Sequence, residues 1–494
     1  MSSSPNTRET FRLHMGWLHS WLGLLAGLVL TCIFATGTLS VFDTEITHWM
    51  QPEIPLTAPP TLTAPALTHG ATLLQNGEAK GTFPFLLLPS RRDPVLRVLN
   101  YNGHAFIGPA LAADGHIFPA RQTAGGQFFF NFHFTLYSGV FVGSTLVCLL
   151  GLLLLVVAGA GIAIHIKALW PNLVVVRPFA AKPRAWLDAH LLTGVLFFPF
   201  LIMITYTGTV ILARAIFPTH PFVQHHVATS PPQKSKPRVA PLAKPSPIPP
   251  LLPLVEQAKT LLHTPNCRFI LFSPTEIQIF ENDEDTLFAN KSTAIFSRAD
   301  GHFLRVEGKN SASAQARGLM QGLHFARFSS FLLRWLYFAS GLACTAMMAA
   351  GLVLFFIKRR KHSSQRIAFR LGEGLTMSTI TGLTAATLSY FLANRFLPST
   401  LPTRIGAETA TFFMVWAFFS VHALLYSLLH RPINGWRIQC LAIVILSFSL
   451  PCIDLFTIKH DWLNNYGLYC SVYVLAFLSA TIAFIAYQKL KEKI

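Results

Sequence analysis

One pattern of histidine, glycine and threonine occurs twice in the sequence with identical spacing, H-x3-G-x12-T-G-T. The two copies consist of His19, Gly23 and Thr36-Gly37-Thr38, and of His190, Gly194 and Thr207-Gly208-Thr209. On a helix that advances about 100° per residue, both glycines of a copy lie on the face of its histidine. Each copy therefore predicts a helix with a histidine above a glycine groove.

A second pair of histidines occupies equivalent positions in a larger repeat. Asp114-Gly115-His116 matches Asp300-Gly301-His302, and each match is soon followed by a further histidine, His133 or His324, just before an apolar run. Asp-Gly before an apolar run is a hairpin-turn signal. The repeat unit is thus a helix, an α+β module and a second helix. Two halves packed about an axis along the membrane normal would bring His19 near His190, and His133 near His324.

Paired neutral imidazoles on facing helices of a bundle are the axial ligands of haem iron. The repeat therefore predicts two haem sites, and because no C-x-x-C-H motif is present the haem is held without covalent attachment, as haem b. His165 competes with His19 and His190 for the inner iron, and His14 is a further alternative. The other interpretation is that these histidines lie in the polar interface and that the glycines serve helix packing.

Arginines near the two histidine clusters are candidate partners for haem propionates: Arg12 and Arg184 inside, and Arg327 and Arg334 outside. The aromatic residues Phe128 to Phe130 and Phe132, beside His133, either line the mouth of the outer site or anchor the chain at the membrane interface, and anchoring is the favoured interpretation.

The composition is that of a polytopic membrane protein. Of 494 residues, 52% are hydrophobic and only 12% are charged. Eight apolar runs are long enough to span a bilayer, at 17–42, 134–164, 190–216, 327–357, 374–396, 407–429, 437–456 and 466–487. Short basic loops share one side, so that side and both termini are predicted to be cytoplasmic. The net charge of +18 is then mainly topogenic, which argues against nucleic-acid binding.

The expected fold is an all-α polytopic membrane protein of about eight helices, with two small periplasmic α+β modules. The predicted units are an N-terminus with the first helix (1–42), module 1 (43–132), helices 2 and 3 (133–216), module 2 (217–323), helix 4 (324–361) and a four-helix extension (362–494) that supports the duplicated core. Module 1 is expected to begin with an extended tether, Pro52 to Pro65, followed by strands at 83–88, 95–101 and 104–107. Module 2 is expected to contain a helix at 254–263 and strands at 269–272, 277–280 and 294–297.

At these residues the chain resembles the PepSY-associated transmembrane family, and especially its iron-uptake members, the inner-membrane haem proteins regarded as ferric-siderophore reductases. The resemblance rests on five stretches: Leu18-His19 through Gly37; His165-Ile166-Lys167; Trp186 to His190; Pro199-Phe200 with Met203 to Gly208; and Arg334 to Phe338 through Met347 to Lys358.

The resemblance implies a haem-containing reductase of the bacterial inner membrane. Electrons from a quinol or a cytoplasmic donor would pass from an inner haem at His19, His190 and His165 to an outer haem at His133 and His324, and then to a periplasmic ferric siderophore. Siderophore oxygen donors hold hard Fe(III) far better than Fe(II), so reduction releases the iron. The alternatives are a transporter or permease component without redox activity, and a regulatory membrane protein with PepSY modules.

Overall fold

In a computed structural model of the protein, the residues described are 7–56, 60–103, 105–172, 177, 182–213, 248–284, 286–289, 292–308, 311–458 and 465–491. Side chains are described at all of these positions except 7–9, 165–172 and 182.

The described part of the chain is mostly helical. Its helices are α1 (Thr7–Ser40), α2 (Asp43–Met50), α3 (Ala64–Ala79), α4 (Gln127–Thr135), α5 (Val140–Asn172), α6 (Lys182–Leu196), α7 (Phe198–Leu212), α8 (Leu251–Leu261), α9 (Ala312–Phe325), α10 (Phe331–Ser363), α11 (Ile367–Met377), α12 (Leu383–Phe396), α13 (Arg404–Leu428), α14 (Pro432–Thr457) and α15 (Tyr466–Lys491). A π-helical turn, Ser378–Gly382, joins α11 to α12.

Among the described residues, six helices are long and apolar enough to cross a membrane: α1, α5, α10, α13, α14 and α15. Helices α6 and α7 form a seventh span if they are counted together, although they bend by 65° where Phe197 separates them, and Pro199 lies in the first turn of α7. The chain is therefore a multi-pass membrane protein. The predicted run at 374–396 is divided between α11, the π-helical turn and α12, and residues 214–216 of the third run lie outside the described residues.

The two predicted modules contribute to a single antiparallel sheet. Its strands are β1 (Phe85–Leu87), β2 (Leu96–Tyr101), β3 (Phe106–Ile107), β4 (Ala110–Leu111), β5 (Cys267–Phe272), β6 (Glu276–Glu281), β7 (Thr293–Ser297) and β8 (Phe303–Glu307). The strand order is β3-β2-β1-β5-β6-β7-β8, with β4 also on β2. Pairing of Leu86 with Ile270 joins β1 to β5, so the two modules share one apolar core under α3 and α8.

The strands and the helix predicted within the modules are confirmed to within a few residues, although His104 lies outside the described residues. The expected tether is shorter than predicted, because α3 begins at Ala64. Thr63 caps that helix by accepting from the amide of Ala66, and Pro65 occupies its first turn, where proline costs no hydrogen bond. Strand β8 follows the Asp300-Gly301 turn and was not predicted.

The C-terminal helices pack against the segment that carries His133. Phe128, Phe129 and Phe132 of α4 are buried, and the ring of Phe128 stacks on Tyr390 at 4.7 Å between centroids. The prediction that Phe128 to Phe130 and Phe132 anchor the chain at the membrane interface is therefore wrong for these three. They form a core with α12 and α13, which cover them.

A buried ion pair and two buried hydrogen bonds strengthen this contact. Arg395 of α12 pairs with Asp454 of α14 at 2.6 Å and donates to the carbonyl of Trp49 in α2 at 2.7 Å. Glu408 of α13 accepts from Thr123 at 2.6 Å, in the loop before α4. The C-terminal helices are thus attached to both α2 and the approach to α4.

Candidate functional site

The structure brings the four repeated histidines together in two pairs. The rings of His19 and His190 have centroids 6.1 Å apart and planes inclined by 69°. The rings of His133 and His324 are 6.0 Å apart and inclined by 26°. We call these the sheet-distal and the sheet-proximal pair. The pairing in space expected from the repeat is confirmed, and haem ligation stays a prediction.

Both separations fit two imidazoles on a single metal ion. With metal–nitrogen bonds of about 2.0 Å and a ring centre about 1.1 Å behind the nitrogen, two imidazoles in line through one ion have centroids about 6.2 Å apart. The observed separations of 6.1 and 6.0 Å match this value.

In each half of the repeat, the Nδ1 atoms of the histidines are held by the partner helix. His19 Nδ1 donates to Val157 O at 2.9 Å, and His190 Nδ1 donates to Met347 O at 2.8 Å. His133 Nδ1 donates to Ile33 O at 2.8 Å. His324 Nδ1 lies 3.1 Å from Thr207 Oγ1 and also reaches the Ile204 carbonyl. Because the Thr207 hydroxyl donates to Met203 O at 2.7 Å, it accepts from His324. Such bonds fix the proton on Nδ1 and leave the Nε2 lone pair for a metal.

A glycine follows each of the four carbonyls by four residues: Gly161 after Val157, Gly351 after Met347, Gly37 after Ile33 and Gly208 after Ile204. A helical side chain lies over the turn that precedes its own Cα, so glycine at this position leaves the carbonyl open to the histidine. A Cβ added at Gly161 would lie 3.0 Å from His19, and one at Gly351 would lie 3.1 Å from His190. A Cβ added at Gly37 or at Gly208 would lie only 2.6 Å from His133 or His324, respectively.

This arrangement corrects the role expected of the repeated glycines. Gly37 and Gly208 do not lie beside the histidine of their own copy; they seat the sheet-proximal histidines. Gly23 and Gly194 do line a cavity together with His19 and His190, as the first pattern predicted.

The sheet-distal pair borders a cavity of about 350 Å³. Six glycines contribute to its wall: Gly16, Gly23, Gly27, Gly161, Gly194 and Gly351. Lys358 and Arg359 also line it, and the Arg359 guanidinium lies 3.8 Å over the ring of Phe355. Small residues, two imidazoles and two cations suit a flat, largely apolar ligand with carboxylate groups.

The sheet-proximal pair lies on α4 and α9, outside the candidate spans. Burial and the neighbouring His133 lower the pKa of His324 to about 3, and burial lowers the pKa of His133, so both imidazoles are neutral. Phe130 and Phe325 lie 6.4 Å apart beside the pair. Neutral imidazole is the form that ligates a metal.

The remaining predicted site residues lie elsewhere or in other contacts. The side chain of His165 lies outside the described residues. His14 Nδ1 bonds the carbonyl of Thr10 in its own helix at 2.8 Å. The four candidate propionate arginines have protein partners: Arg12 with Ile164 O at 3.0 Å, Arg184 with Asp188 at 3.0 Å, Arg327 with Asp283 at 2.9 Å and Arg334 with Glu45 at 2.8 Å.

Sequence reasoning missed Gly161, Gly351 and the cationic wall at Lys358 and Arg359. The two glycines lie on the second helix of each half, outside the H-x3-G-x12-T-G-T pattern. Their signal is weak because Gly159 lies close to Gly161 in an apolar run, and one glycine cannot be told from the other without the partner helix.

Comparison with known proteins identifies the family to which this helical bundle belongs. Residues 16–359 match the model of the PepSY-associated TM region. The chain is also similar to the uncharacterized protein PA4219 of Pseudomonas aeruginosa, with 29% identity over 336 residues, which is 60% of this chain and 78% of that protein. Both histidine pairs, His19 with His190 and His133 with His324, fall within the matched residues. The chain belongs to the family of PepSY-associated TM regions.

Proposed function

We propose that the protein is a haem b reductase of the bacterial inner membrane that delivers electrons to a periplasmic ferric siderophore. The observation that carries the proposal is the repeated geometry of the two pairs. In both, the rings have the spacing of two imidazoles on one iron, and every Nδ1 atom is held by the partner helix. When bound, haem supplies one-electron chemistry by cycling its iron between Fe(III) and Fe(II).

The chain's own residues have distinct tasks in this proposal. The four histidines would ligate the haem irons and orient the haems. Lys358 and Arg359 would neutralise the haem carboxylates at the sheet-distal site. The sheet and the C-terminal helices hold α4 and α9 above the membrane core. The basic run Lys358-Arg359-Arg360-Lys361 at the end of α10 supports a cytoplasmic position for the sheet-distal end, and hence a periplasmic position for the sheet.

The purified full-length protein tests the proposal by a reduced-minus-oxidised spectrum and a haem count. We expect two haems per chain in the parent, with α and Soret bands in the spectrum. His324→Ala is expected to remove the sheet-proximal haem and to retain the other, whereas His190→Ala does the reverse. Full haem content in both variants would show that the pairing is wrong, and a parent without haem bands would refute the reductase and favour a transporter or regulatory role.

Substrate class needs a second measurement. Protein reduced with dithionite and freed of excess reductant is mixed with a ferric hydroxamate or a ferric catecholate, and reoxidation of the α band is followed together with capture of Fe(II) by a chelator. Reoxidation with release of Fe(II) supports a siderophore substrate. Haem that stays reduced with both chelates would contradict it while leaving haem binding intact.

A further inference from the structure

The end of the helical bundle remote from the sheet exposes charge of a single sign. Among the described side chains at this end, the carboxylates are Asp188 and Glu373, which are only 4% and 5% exposed. Asp188 pairs with Arg184 at 3.0 Å, and Glu373 pairs with Arg360. The exposed cations lie on α10, just before α11 and α14, and on α15: Lys358, Lys361, Arg366, Arg431, Lys489 and Lys491. This surface, which we call the basic face, is therefore positive without compensating acidic groups among the described side chains.

Membrane topology accounts for the cations of the basic face but not for its lack of exposed carboxylates. Lysine and arginine in short loops set the orientation of a membrane protein, whereas aspartate and glutamate contribute little to it. At the sheet end, the carboxylates of Asp114, Glu256, Asp300 and Glu307 are each more than half exposed. A surface of one sign attracts a partner of opposite charge and speeds its association.

The basic face includes the mouth of the sheet-distal cavity. Lys358 and Arg359 of α10 line this cavity, and Lys358 is also exposed, so the cavity opens at this end of the bundle. Arg12 of α1, a further exposed cation, donates to the carbonyl of Ile164 at 3.0 Å, and Ile164 is another lining residue. A partner held by these cations would lie directly over the sheet-distal histidine pair.

Tryptophan side chains show that part of the basic face lies beyond the lipid. Trp17 and Trp21 of α1 are 64% and 41% exposed, and exposed tryptophan is typical of the membrane interface. Trp21 contacts Phe355 of α10 at 5.4 Å between ring centroids, so the interface crosses α10 near Phe355. Lys361 lies six residues further along α10, which is about 9 Å along the helix axis. A soluble protein can therefore reach Lys361.

Exposed apolar side chains accompany the cations on the same stretch of α1. Phe11 and Leu13 are 54% and 74% exposed, and they precede Trp17 on the side of the interface remote from the membrane core. They flank Arg12 in the sequence. Apolar contacts combined with a charged rim are typical of protein–protein interfaces. An anionic lipid head group would use the cations alone, so the combination favours a protein partner.

We propose that the basic face docks a small acidic electron-carrier protein, which supplies the sheet-distal site with one electron at a time. In this step the reduced carrier gives up one electron, a ferric iron at the histidine pair takes it up and becomes ferrous, and no atom or proton is transferred. The inference rests on the proposed function, for which it names a soluble protein as the electron donor. Docking itself depends on the surface charges and can be measured without haem.

Reduced plant-type 2Fe–2S ferredoxin, an acidic one-electron carrier, is a suitable probe. The full-length protein is placed in phosphatidylcholine nanodiscs, which lack anionic lipid, and the α band follows its reduction in a stopped-flow experiment. We expect Lys361→Glu to lower the second-order rate constant by about tenfold at low ionic strength, because charges at the rim of an interface control association. The difference should vanish in about 1 M salt, where the Debye length is about 3 Å.

Lys491→Glu is the matched control. It makes the same change of charge at the same end of the bundle, but on α15, which packs mainly on α14. We expect its rate constant to stay within about twofold of the parent. Equal slowing by Lys361→Glu and Lys491→Glu would overturn the proposal, because the cations would then act only through the net charge of the protein.

Binding of ferredoxin to immobilised nanodiscs separates this inference from the proposed function. Binding that falls with salt and with Lys361→Glu, in a protein without haem, would uphold the docking surface and refute the reductase. Haem that decylubiquinol reduces, with no salt-dependent reaction or binding of ferredoxin, would overturn the docking proposal and leave the reductase intact. Retention of phosphatidylglycerol that Lys361→Glu abolishes, again without ferredoxin binding, would assign the basic face to lipid and would also overturn the proposal.

Discussion

His19 and His190 lie on helices that continue into the membrane core, whereas His133 and His324 lie on α4 and α9, which end before the next spans begin. Both short helices end in residues with positive φ, Leu136 at 50° and Ala326 at 51°. A non-glycine residue in this conformation is strained by about 1 kcal/mol or more and persists only where its surroundings hold it. The sheet-proximal pair thus depends on structure outside the membrane bundle.

The surroundings of the two pairs differ in the same way. The sheet-distal pair borders a cavity lined by six glycines, so its ligand space comes from small residues on long helices. The sheet-proximal pair is seated tightly against Gly37 and Gly208, and its helix α4 is covered by C-terminal helices that have no counterpart in the repeat. The two histidine pairs are therefore alike in residue type but differ in support. The sheet-distal pair is supported by packing within the repeated helices, and the sheet-proximal pair by the additional C-terminal helices. This comparison predicts which substitutions would affect one of the two proposed haem sites and spare the other.

The largest separation is expected from Arg395→Ala. Removing the guanidinium leaves Asp454 buried without its ion pair and breaks the bond to Trp49 O, which costs about 3–5 kcal/mol of unfolding free energy. Heating is then expected to release the sheet-proximal haem first, because the C-terminal helices cover α4, while the sheet-distal haem is retained to higher temperature. Haem release is followed by the absorbance of each α band.

Arg305→Ala is the matched control, since Arg305 pairs with Glu276 at 2.9 Å on exposed β8, where solvent screening leaves an ion pair with little effect on stability. Simultaneous release of both haems in Arg395→Ala would show that the C-terminal helices support the two sites equally.

A smaller effect is expected from Gly37→Ala and Gly208→Ala. Each new Cβ would lie 2.6 Å from a ring atom of His133 or His324, so the ring must move away from its carbonyl at a cost of about 1–3 kcal/mol. Selective loss of the sheet-proximal haem is the expected result in a haem count. Gly406→Ala provides the control, because a Cβ there has nothing within 4 Å. Normal content of both haems in the two variants would refute the seating role.

The corresponding substitutions at the sheet-distal pair are expected to be milder. A Cβ at Gly161 or Gly351 lies 3.0 or 3.1 Å from its histidine, a contact that a shift of a few tenths of an ångström relieves into the neighbouring cavity. We expect Gly161→Ala and Gly351→Ala to retain both haems. The free energy of haem binding at the sheet-distal pair should fall by about 1 kcal/mol or less, so that this haem is released at a slightly lower temperature. Losses as large as those of Gly37→Ala would remove the distinction between the two pairs.

The sequence predicted the pairing of the histidines because duplication with a fixed spacing constrains which residues become equivalent. It predicted most strands because alternation and turn residues are local signals. The joining of β1 to β5 was missed because those strands are more than 170 residues apart and nothing local specifies the pairing. The role of Phe132 was misjudged for the same reason: its partners lie on α13, which belongs to no repeat. Carbonyl acceptors such as Val157 O escape prediction because any residue type supplies a carbonyl.

The smallest effect distinguishes two residues that occupy the same place in the repeat. Thr207 and Thr36 are equivalent, and both hydroxyls donate to the carbonyl four residues earlier, Thr207 to Met203 O at 2.7 Å and Thr36 to Cys32 O at 2.8 Å. They differ in that Thr207 also accepts from His324 Nδ1 at 3.1 Å, whereas His133 Nδ1 donates to the carbonyl of Ile33. Thr207→Val removes one acceptor and leaves the Ile204 carbonyl, so sheet-proximal haem is expected to bind about three- to tenfold more weakly.

A less strongly bonded Nδ1–H also makes the His324 imidazole a weaker donor to iron, which raises the reduction potential of that haem. Thr36→Val is expected to change neither quantity, since Ile33 O still holds His133. Spectroelectrochemical titration of both variants beside the parent measures the potentials. An equal rise in both would mean that the threonines act through helix packing, and the difference between His324 and His133 in how they are held would then have no consequence for the haem.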